Sequence, residues 1–283
     1  MTQTAPSAGA LARLRSGLDY LTPALKRLAT VVLESPEETI YQSVTELAEL
    51  GRVGEASVIR LCRDLGFKGF QDFKLALAAD LALSPRAETS KGTGDLAGIL
   101  ESVTASALQA VQETKALLDL GVLEAVVTAL LKADHILVYG AGASGVTARD
   151  FGYKFLRLGY SVNVLEDAHL AAMTATTLPG NAVMIGISRS GSTIDTVRAL
   201  ELAQARGVTT VAVSQRAKSP ATAVADYTLF TASSESPLTG GSIPSKLGQL
   251  LLLDALFAAL LARRDGAESA VAATAKAVTD RNY

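Results

Sequence analysis

His135-Ile136-Leu137-Val138-Tyr139-Gly140-Ala141-Gly142-Ala143-Ser144-Gly145 sets the architecture of this 283-residue chain. A short apolar run over residues 136–139 leads into a glycine-rich turn, and a helical stretch then continues to Leu158. That is the first half of a βαβ unit. The pattern repeats outward. Residues 161–165 read as the next strand and residues 182–187 as a third, followed by Ser188-Arg189-Ser190-Gly191-Ser192-Thr193 and a helix over 194–206. Gly207 stands where a helix-ending glycine is expected. Residues 209–213 and 227–230 complete five strands. Such alternation predicts a five-stranded, mostly parallel sheet flanked by helices on both faces. Ligands of such sheets sit beyond the carboxyl ends of the strands. Helices are expected at 96–115 and 119–132 before the sheet and at 246–262 after it. Beyond Arg263 the tail is alanine-rich and weakly patterned, readable as a helix or as a fraying end.

Residues 11–83 have a different period. Their apolar spacing is helical throughout and contains no strand-like run. Between the two blocks lies Ser84-Pro85-Arg86-Ala87-Glu88-Thr89-Ser90-Lys91-Gly92-Thr93-Gly94-Asp95, rich in small polar and charged residues, which reads as a linker. The expected division is an all-α domain over 1–83, the linker over 84–95, an α/β domain over 96–266 and a tail over 267–283. No solenoid repeat is visible.

Composition narrows the function. Apolar residues make up 49% and charged residues 19%, enough for a sizeable core and unlike a disordered or collagenous chain. A net charge of −2 means that any nucleic-acid contact must come from a local patch. The single cysteine, Cys62, excludes an internal disulfide and suits a reducing compartment. Two distant histidines, His135 and His169, with one cysteine do not suggest a His/Cys zinc cluster, and no metal ion is expected; no cofactor is expected either. Residues 1–10 lack a basic segment followed by an apolar one, so no signal peptide is read. The longest apolar stretches, residues 250–253 and 256–262, are parted by Asp254, and even together they fall short of the roughly 20 apolar residues of a bilayer span. A soluble cytoplasmic protein, with no membrane contact, is expected.

Within the helical block, Val44, Leu47 and Ala48 form one buried stripe, and Gly51 ends that helix. A second helix begins near Gly54 and runs to Leu65, with Val58, Leu61, Cys62 and Leu65 inward. Ala56, Arg60 and Arg63 then point outward, flanked by Ser57. Two short helices joined by a tight turn, the second bearing two outward arginines, have the form of a helix-turn-helix whose second helix enters the major groove. An arginine fork pairs with guanine or grips phosphate. Lys68 and Lys74 follow and are expected at the DNA backbone. Residues 51–75 hold five basic and three acidic residues, a net of +2. Periodicity alone fits an ordinary solvated helical hairpin at least as well.

Within the α/β block, Gly140-Ala141-Gly142-Ala143-Ser144-Gly145 reads literally as G-x-G-x-x-G, and Glu166 follows Gly145 by 21 residues, as in a dinucleotide-binding unit. The second turn argues otherwise. Ser188, Ser190, Ser192 and Thr193 place hydroxyls at a helix N-terminus, where backbone N–H groups and the helix dipole favour an anion. A pyrophosphate site needs no such cluster, whereas a phosphate monoester needs a ring of hydroxyl and amide donors. Ser144 reaches the same crevice if the two strands are neighbours. Each turn taken alone is equally well explained as tight strand-to-helix packing with hydroxyl caps.

Two resemblances sharpen both readings. Ser43-Val44-Thr45-Glu46-Leu47-Ala48, then Ala56-Ser57-Val58-Ile59-Arg60-Leu61-Cys62-Arg63-Asp64-Leu65-Gly66-Phe67-Lys68-Gly69-Phe70, closely resembles the N-terminal domain of RpiR-family bacterial transcriptional regulators. Relatives usually carry Ser or Thr where this chain has Gly54; glycine remains an acceptable cap. Residues from about 134 to 262 resemble the sugar isomerase (SIS) domain, with its Ser-x-Ser-Gly-x-Thr signature at Ser188, Ser190, Gly191 and Thr193. The resemblance implies a phosphate held by Ser188, Ser190 and Thr193 beside the Arg189 and Gly191 backbone. It implies that Gly142, Ala143 and Ser144 close the site, and that Glu235 occupies a loop lining the sugar pocket. Asp167-Ala168-His169-Leu170 resembles another stretch of the family.

The implied function is a DNA-binding transcriptional regulator whose SIS domain senses a sugar phosphate and alters operator binding. Its partners would be double-stranded operator DNA, a sugar-phosphate effector, and further copies of itself in a homodimer or homotetramer. An aldose–ketose isomerase is the alternative. It requires a base beside the reacting carbons, with Glu235 or His169 as the foremost candidates and Glu166 or Asp167 behind them. A single acid–base candidate beside a complete phosphate cradle is compatible with binding alone, and the fusion to a DNA reader favours a sensor over an enzyme.

Overall fold

A computed structural model describes residues 9–82, 95–232, 238 and 241–279. Residues 84–94 of the expected linker, and Glu235, lie outside the described residues. The chain forms two compact units, divided between Thr104 and Ala105.

The first unit contains α1 (Ala10–Gly17), a single 3-10 turn (Leu18–Tyr20), α2 (Pro23–Glu34), α3 (Pro36–Thr39), α4 (Val44–Leu50), α5 (Glu55–Asp64) and α6 (Phe70–Ala82). Pro23 and Pro36 each open a helix, where the missing N–H costs nothing. One core joins α1, α2, α4, α5 and α6 through Leu14, Leu28, Leu47, Val58, Leu61 and Phe73. Each such side chain contributes about 1.5–3 kcal/mol when fully buried.

The long helix α7 (Leu96–Leu117) crosses the division, and the second unit continues with α8 (Leu120–Lys132), capped by Asp119. Then come β1 (His135–Gly140), α9 (Ala143–Arg157), β2 (Ser161–Leu165), α10 (Ala168–Ala175), β3 (Val183–Ile187) and α11 (Ile194–Gln204). The unit closes with β4 (Thr209–Ser214), α12 (Pro220–Val224), β5 (Tyr227–Phe230), α13 (Ile243–Arg263) and α14 (Ala267–Thr279). The five strands run β2-β1-β3-β4-β5, and every pairing is parallel.

Alternation along the strands divides the core. Ile136, Val138, Val183, Ile185, Val211 and Val213 face α8, α9 and α13, while Leu137, Tyr139, Met184 and Ala212 face α10, α11 and α12. β3 is buried on both faces, as a central parallel strand must be.

Two details of the C-terminal helices follow. The apolar runs parted by Asp254 form one continuous helix, α13, long and apolar enough by length and composition to cross a bilayer. Its Leu252, Leu253, Leu256 and Leu260 are instead packed into the sheet core, and Asp254 lies outward against Lys154. The alanine-rich tail is helical as α14, with Ala267 buried in the same core.

Candidate functional site

The reading head is built by α4, α5 and the turn between them. Ser43 accepts from the Glu46 N–H at 3.1 Å, and Glu46 accepts from the Ser43 N–H at 2.7 Å, a reciprocal capping box that fixes the start of α4. The turn passes through Arg52, whose φ of 50° is left-handed and uncommon for a residue with a side chain. The Val53 N–H returns to Ala48 O at 2.9 Å and closes the turn. Glu55 then accepts from the Thr45 hydroxyl and ties the two helices together.

α5 buries Val58, Leu61 and Cys62 and begins at Gly54 without a side-chain cap. Its outer face presents Ala56, Arg60 and Arg63, all exposed, with Ser57 half-buried beside them. Arg60 lies 3.7 Å from Asp64, with 69% of its side chain exposed, so that contact leaves the guanidinium accessible. Lys68 is exposed just beyond the helix. Arg52, which the motif reading passed over, is a further exposed cation on the connecting turn.

Lys74 is a correction. It is 4% exposed, donates to Gln42 O at 2.8 Å and lies over the Phe70 ring. Phe70, Phe73, Leu77 and Ala78 form the buried stripe of α6, and Lys74 falls on that stripe, so it braces the core and is withdrawn from the DNA backbone.

In the second unit the decisive fact is adjacency. β1 and β3 are neighbours, and Gly140 pairs in register with Ile187. The turns after them therefore open side by side at the carboxyl end of the sheet. This is where the strand order reverses, the position at which open α/β sheets bind ligands. In the first turn, a Cβ on Gly140 would lie 2.7 Å from Ser144 O, and one on Gly145 would lie 2.8 Å from Gly140 O, so these glycines allow α9 to start hard against β1. Gly142 has φ 58° with open space beside it. Ala143 and Ser144 form the first turn of α9, with Ala143 exposed and Ser144 half-buried.

In the second turn Ser188 is buried, and its hydroxyl lies 3.0 Å from that of Thr193. Thr193 is the N-cap residue of α11, yet its side chain makes no cap hydrogen bond. Ser190, Ser192 and Arg189 are half-buried, and Ser190 Oγ accepts from the Ser192 N–H at 3.3 Å. Gly191 has φ 62°, and a Cβ there would stand 2.0 Å from Ser219 Oγ.

Support comes from residues the motifs did not mark. Ser214 at the end of β4 donates to Arg189 O at 3.4 Å, and the Ala221 N–H reaches Gly191 O at 2.9 Å. Thr196, one turn into α11, is fully buried, and its hydroxyl has no hydrogen-bond partner among the described residues. Tyr139, the residue before Gly140, has its phenol pushed above the usual range by burial and then by the charges of Asp195 and Asp167. The assembled group can hold a phosphate by hydroxyls and first-turn N–H groups, without a metal ion.

The other acid–base candidates, Glu166, Asp167 and His169, follow the carboxyl end of β2, beside β1. Glu166 is exposed at the end of β2 and pairs with Arg149 at 3.1 Å. Asp167 caps α10 by accepting from the Leu170 N–H at 2.8 Å. His169 is exposed on α10, and His135 opens β1 at the opposite end of the sheet.

Comparison with known proteins agrees with both halves. The model of the helix-turn-helix domain of the rpiR family matches residues 8–84, and that of the SIS domain matches residues 129–259. An HTH-type transcriptional regulator of Haemophilus influenzae is 36% identical, over 91% of this chain and 91% of its own length. The HTH-type transcriptional regulator YbbH of Bacillus subtilis is 35% identical, over 90% of this chain and 92% of its own. The structure of Vibrio vulnificus NanR, solved with ManNAc-6P, is similar with a TM-score of 0.86 at 34% identity, covering 97% of this chain and all of that one.

Proposed function

We infer, because this chain belongs to the rpiR family of helix-turn-helix transcriptional regulators, that its SIS domain senses a sugar phosphate and so alters operator binding. The adjacency of two hydroxyl-bearing turns, after β1 and after β3, carries this reading. Ser188, Ser190, Ser192 and Thr193, with the Arg189 and Gly191 backbone, take the phosphate. Gly142, Ala143 and Ser144 close over it from the first turn. NanR holds ManNAc-6P in a structure similar along the whole chain, so a phosphorylated amino sugar is the first ligand to try.

The reading head acts through α5. Arg60 and Arg63 meet base edges or phosphates, Ala56 and Ser57 lie against the groove, and Lys68 meets the backbone. Two heads are needed to read a two-fold operator, with half-sites roughly 34–36 Å apart. The protein therefore works as a homo-oligomer, and in the cytoplasm, where its operator is. A ligand that binds one arrangement of the assembly more tightly shifts it between DNA-binding states. The protein is a sensor, not an enzyme. Supporting this, Asp167 is used as the helix cap of α10.

Calorimetric titration of the full chain with ManNAc-6P and a panel of other sugar phosphates tests this. One member should bind and change operator affinity, and Ser190→Ala should weaken that binding at least tenfold while unliganded operator binding persists. Absence of binding across the panel overturns the sensor reading. Conversion of an aldose phosphate to its ketose, lost in Glu235→Gln, overturns the non-enzymatic one.

A further inference from the structure

We propose that Arg52, on the turn between α4 and α5, grips a phosphate of the DNA strand that borders the groove. This contact deepens the reading of α5 as the helix that enters the groove, and rests on it. Among the described residues, positive φ belongs to glycines and to one residue with a side chain, Arg52 at 50°. That conformation brings Cβ close to the following carbonyl oxygen, and only glycine enters it freely. The turn does use glycine where packing requires it, since a Cβ on Gly51 would lie 2.6 Å from Leu28 Cδ1. At the next position, where glycine would relieve the backbone, the chain carries arginine.

Nothing within the reading head requires that side chain. Main-chain bonds close the turn, from the Arg52 N–H to Glu49 O at 3.0 Å and from the Val53 N–H to Ala48 O at 2.9 Å, and glycine would make them equally well. The Arg52 side chain is exposed, and among the described residues no hydrogen bond, ion pair or ring contact holds it. A strained residue of this kind persists where something else uses it, and such residues gather at ligand clamps.

Position and charge identify the partner. Two residues of chain, at most about 7 Å, separate Arg52 from Gly54, where α5 begins. The N-terminal end of a reading helix is the part that approaches the bases. A residue on the turn before it stands at the rim of the groove, where the phosphates run. Glu49 and Glu55 are exposed on either side of the turn, and Glu55 is held by the Thr45 hydroxyl. Arg52 is the one cation in residues 49–56, so without it that stretch would bring two carboxylates and no positive charge toward a polyanion. Its guanidinium offsets them and offers two parallel donors to a phosphate.

Fluorescence anisotropy of the full chain tests the contact, using the DNA duplex that the unaltered protein enriches from a random-sequence library and repeating the titration over a salt series. Arg52→Gly relieves the turn and removes the cation. Its melting midpoint should hold or rise, its affinity should fall about three- to tenfold at low salt, and the slope of log affinity against log salt should become shallower by about one. Arg52→Lys keeps the charge and should keep the slope. Unchanged affinity and slope in Arg52→Gly overturn the contact, as does a loss of affinity at an unchanged slope. A lower melting midpoint in Arg52→Gly shows that the arginine serves the fold, and overturns it too. Arg60→Ala separates this result from the reading beneath it. Failure to enrich any duplex, or full binding by Arg60→Ala, overturns α5 as the reading helix. Weakened binding in Arg60→Ala with none lost in Arg52→Gly overturns the Arg52 contact alone.

Discussion

Ser188 and Thr193 stand hydroxyl to hydroxyl at 3.0 Å across the turn that follows β3. Because Thr193 is turned toward Ser188, its side chain makes no cap bond at the start of α11. Thr193→Val takes the partner from a buried hydroxyl, at a cost of about 1–2 kcal/mol in stability. It also removes one donor from the cradle. Sugar-phosphate affinity should fall about tenfold, near 1.4 kcal/mol, in a calorimetric titration. Affinity and melting midpoint both unchanged would remove this pair from the site.

Gly191 and Gly142 make a controlled comparison. Both have positive φ, at 62° and 58°. A Cβ on Gly142 meets nothing within 4 Å, whereas one on Gly191 would lie 2.4 Å from Ser219 Cβ. Gly142 pairs its φ of 58° with a ψ of −124°, outside the left-handed helical well, so Gly142→Ala should cost backbone strain of about 1–3 kcal/mol with no collision added. Gly191→Ala adds the collision, for a total of roughly 2–5 kcal/mol, and displaces the turn that carries Ser190. Thermal melts of the two variants should therefore separate by several degrees, with ligand binding lost in Gly191→Ala. Equal midpoints would contradict the close approach of Ser219.

Arg60 and Lys74 should respond in opposite ways. Arg60 is exposed on the outer face of α5, so Arg60→Ala should weaken operator binding by about 1–3 kcal/mol if the fork reads a base, with no change in melting. Lys74 is buried and bonded to Gln42 O, so Lys74→Ala should lower stability by about 1–3 kcal/mol and leave operator affinity of the folded protein intact. Electrophoretic mobility shift beside a thermal melt separates the two effects. Weakened operator binding by Lys74→Ala at an unchanged melting midpoint would return that lysine to the DNA face.

Local pattern explains what could be read in advance. The inner strands β1, β3 and β4 were visible because parallel strands buried on both faces become near-continuous apolar runs, as in Val183–Ile187. The second helix of the reading head was visible because Val58, Leu61 and Cys62 recur at helical spacing. Lys74 was misread although its signal was present. It lies four residues after Phe70 and three before Leu77, on the buried stripe, and charge was given more weight than position. Ser214 and Ser219 were not legible at all. They support the cradle from β4 and α12, and only the β3–β4 pairing brings them to Arg189 and Gly191. The adjacency of the turns after β1 and β3 was likewise conditional in the sequence, because strand order is a long-range property.

Cys62 gives a prediction that depends on pH. Its thiol is buried in the core of the reading head, and burial pushes its pKa from 9.0 up to about 12. A thiol labels through its thiolate, so the native protein should react with a disulfide reagent far more slowly than the unfolded chain at pH 8. The linkage has a definite sign. Between pH 9 and about 12 the unfolded thiol has released its proton while the folded one retains it, so folding loses stability as pH rises through that window. Below pH 9 both states hold the proton and the contribution is flat. Replacing the thiol tests this, because Cys62→Ala should lessen the alkaline loss of stability while creating a small cavity that lowers the melting midpoint at neutral pH. Native-state labelling with an apparent pKa near 9 would show instead that the thiol is reached by solvent and that the α5 core is open.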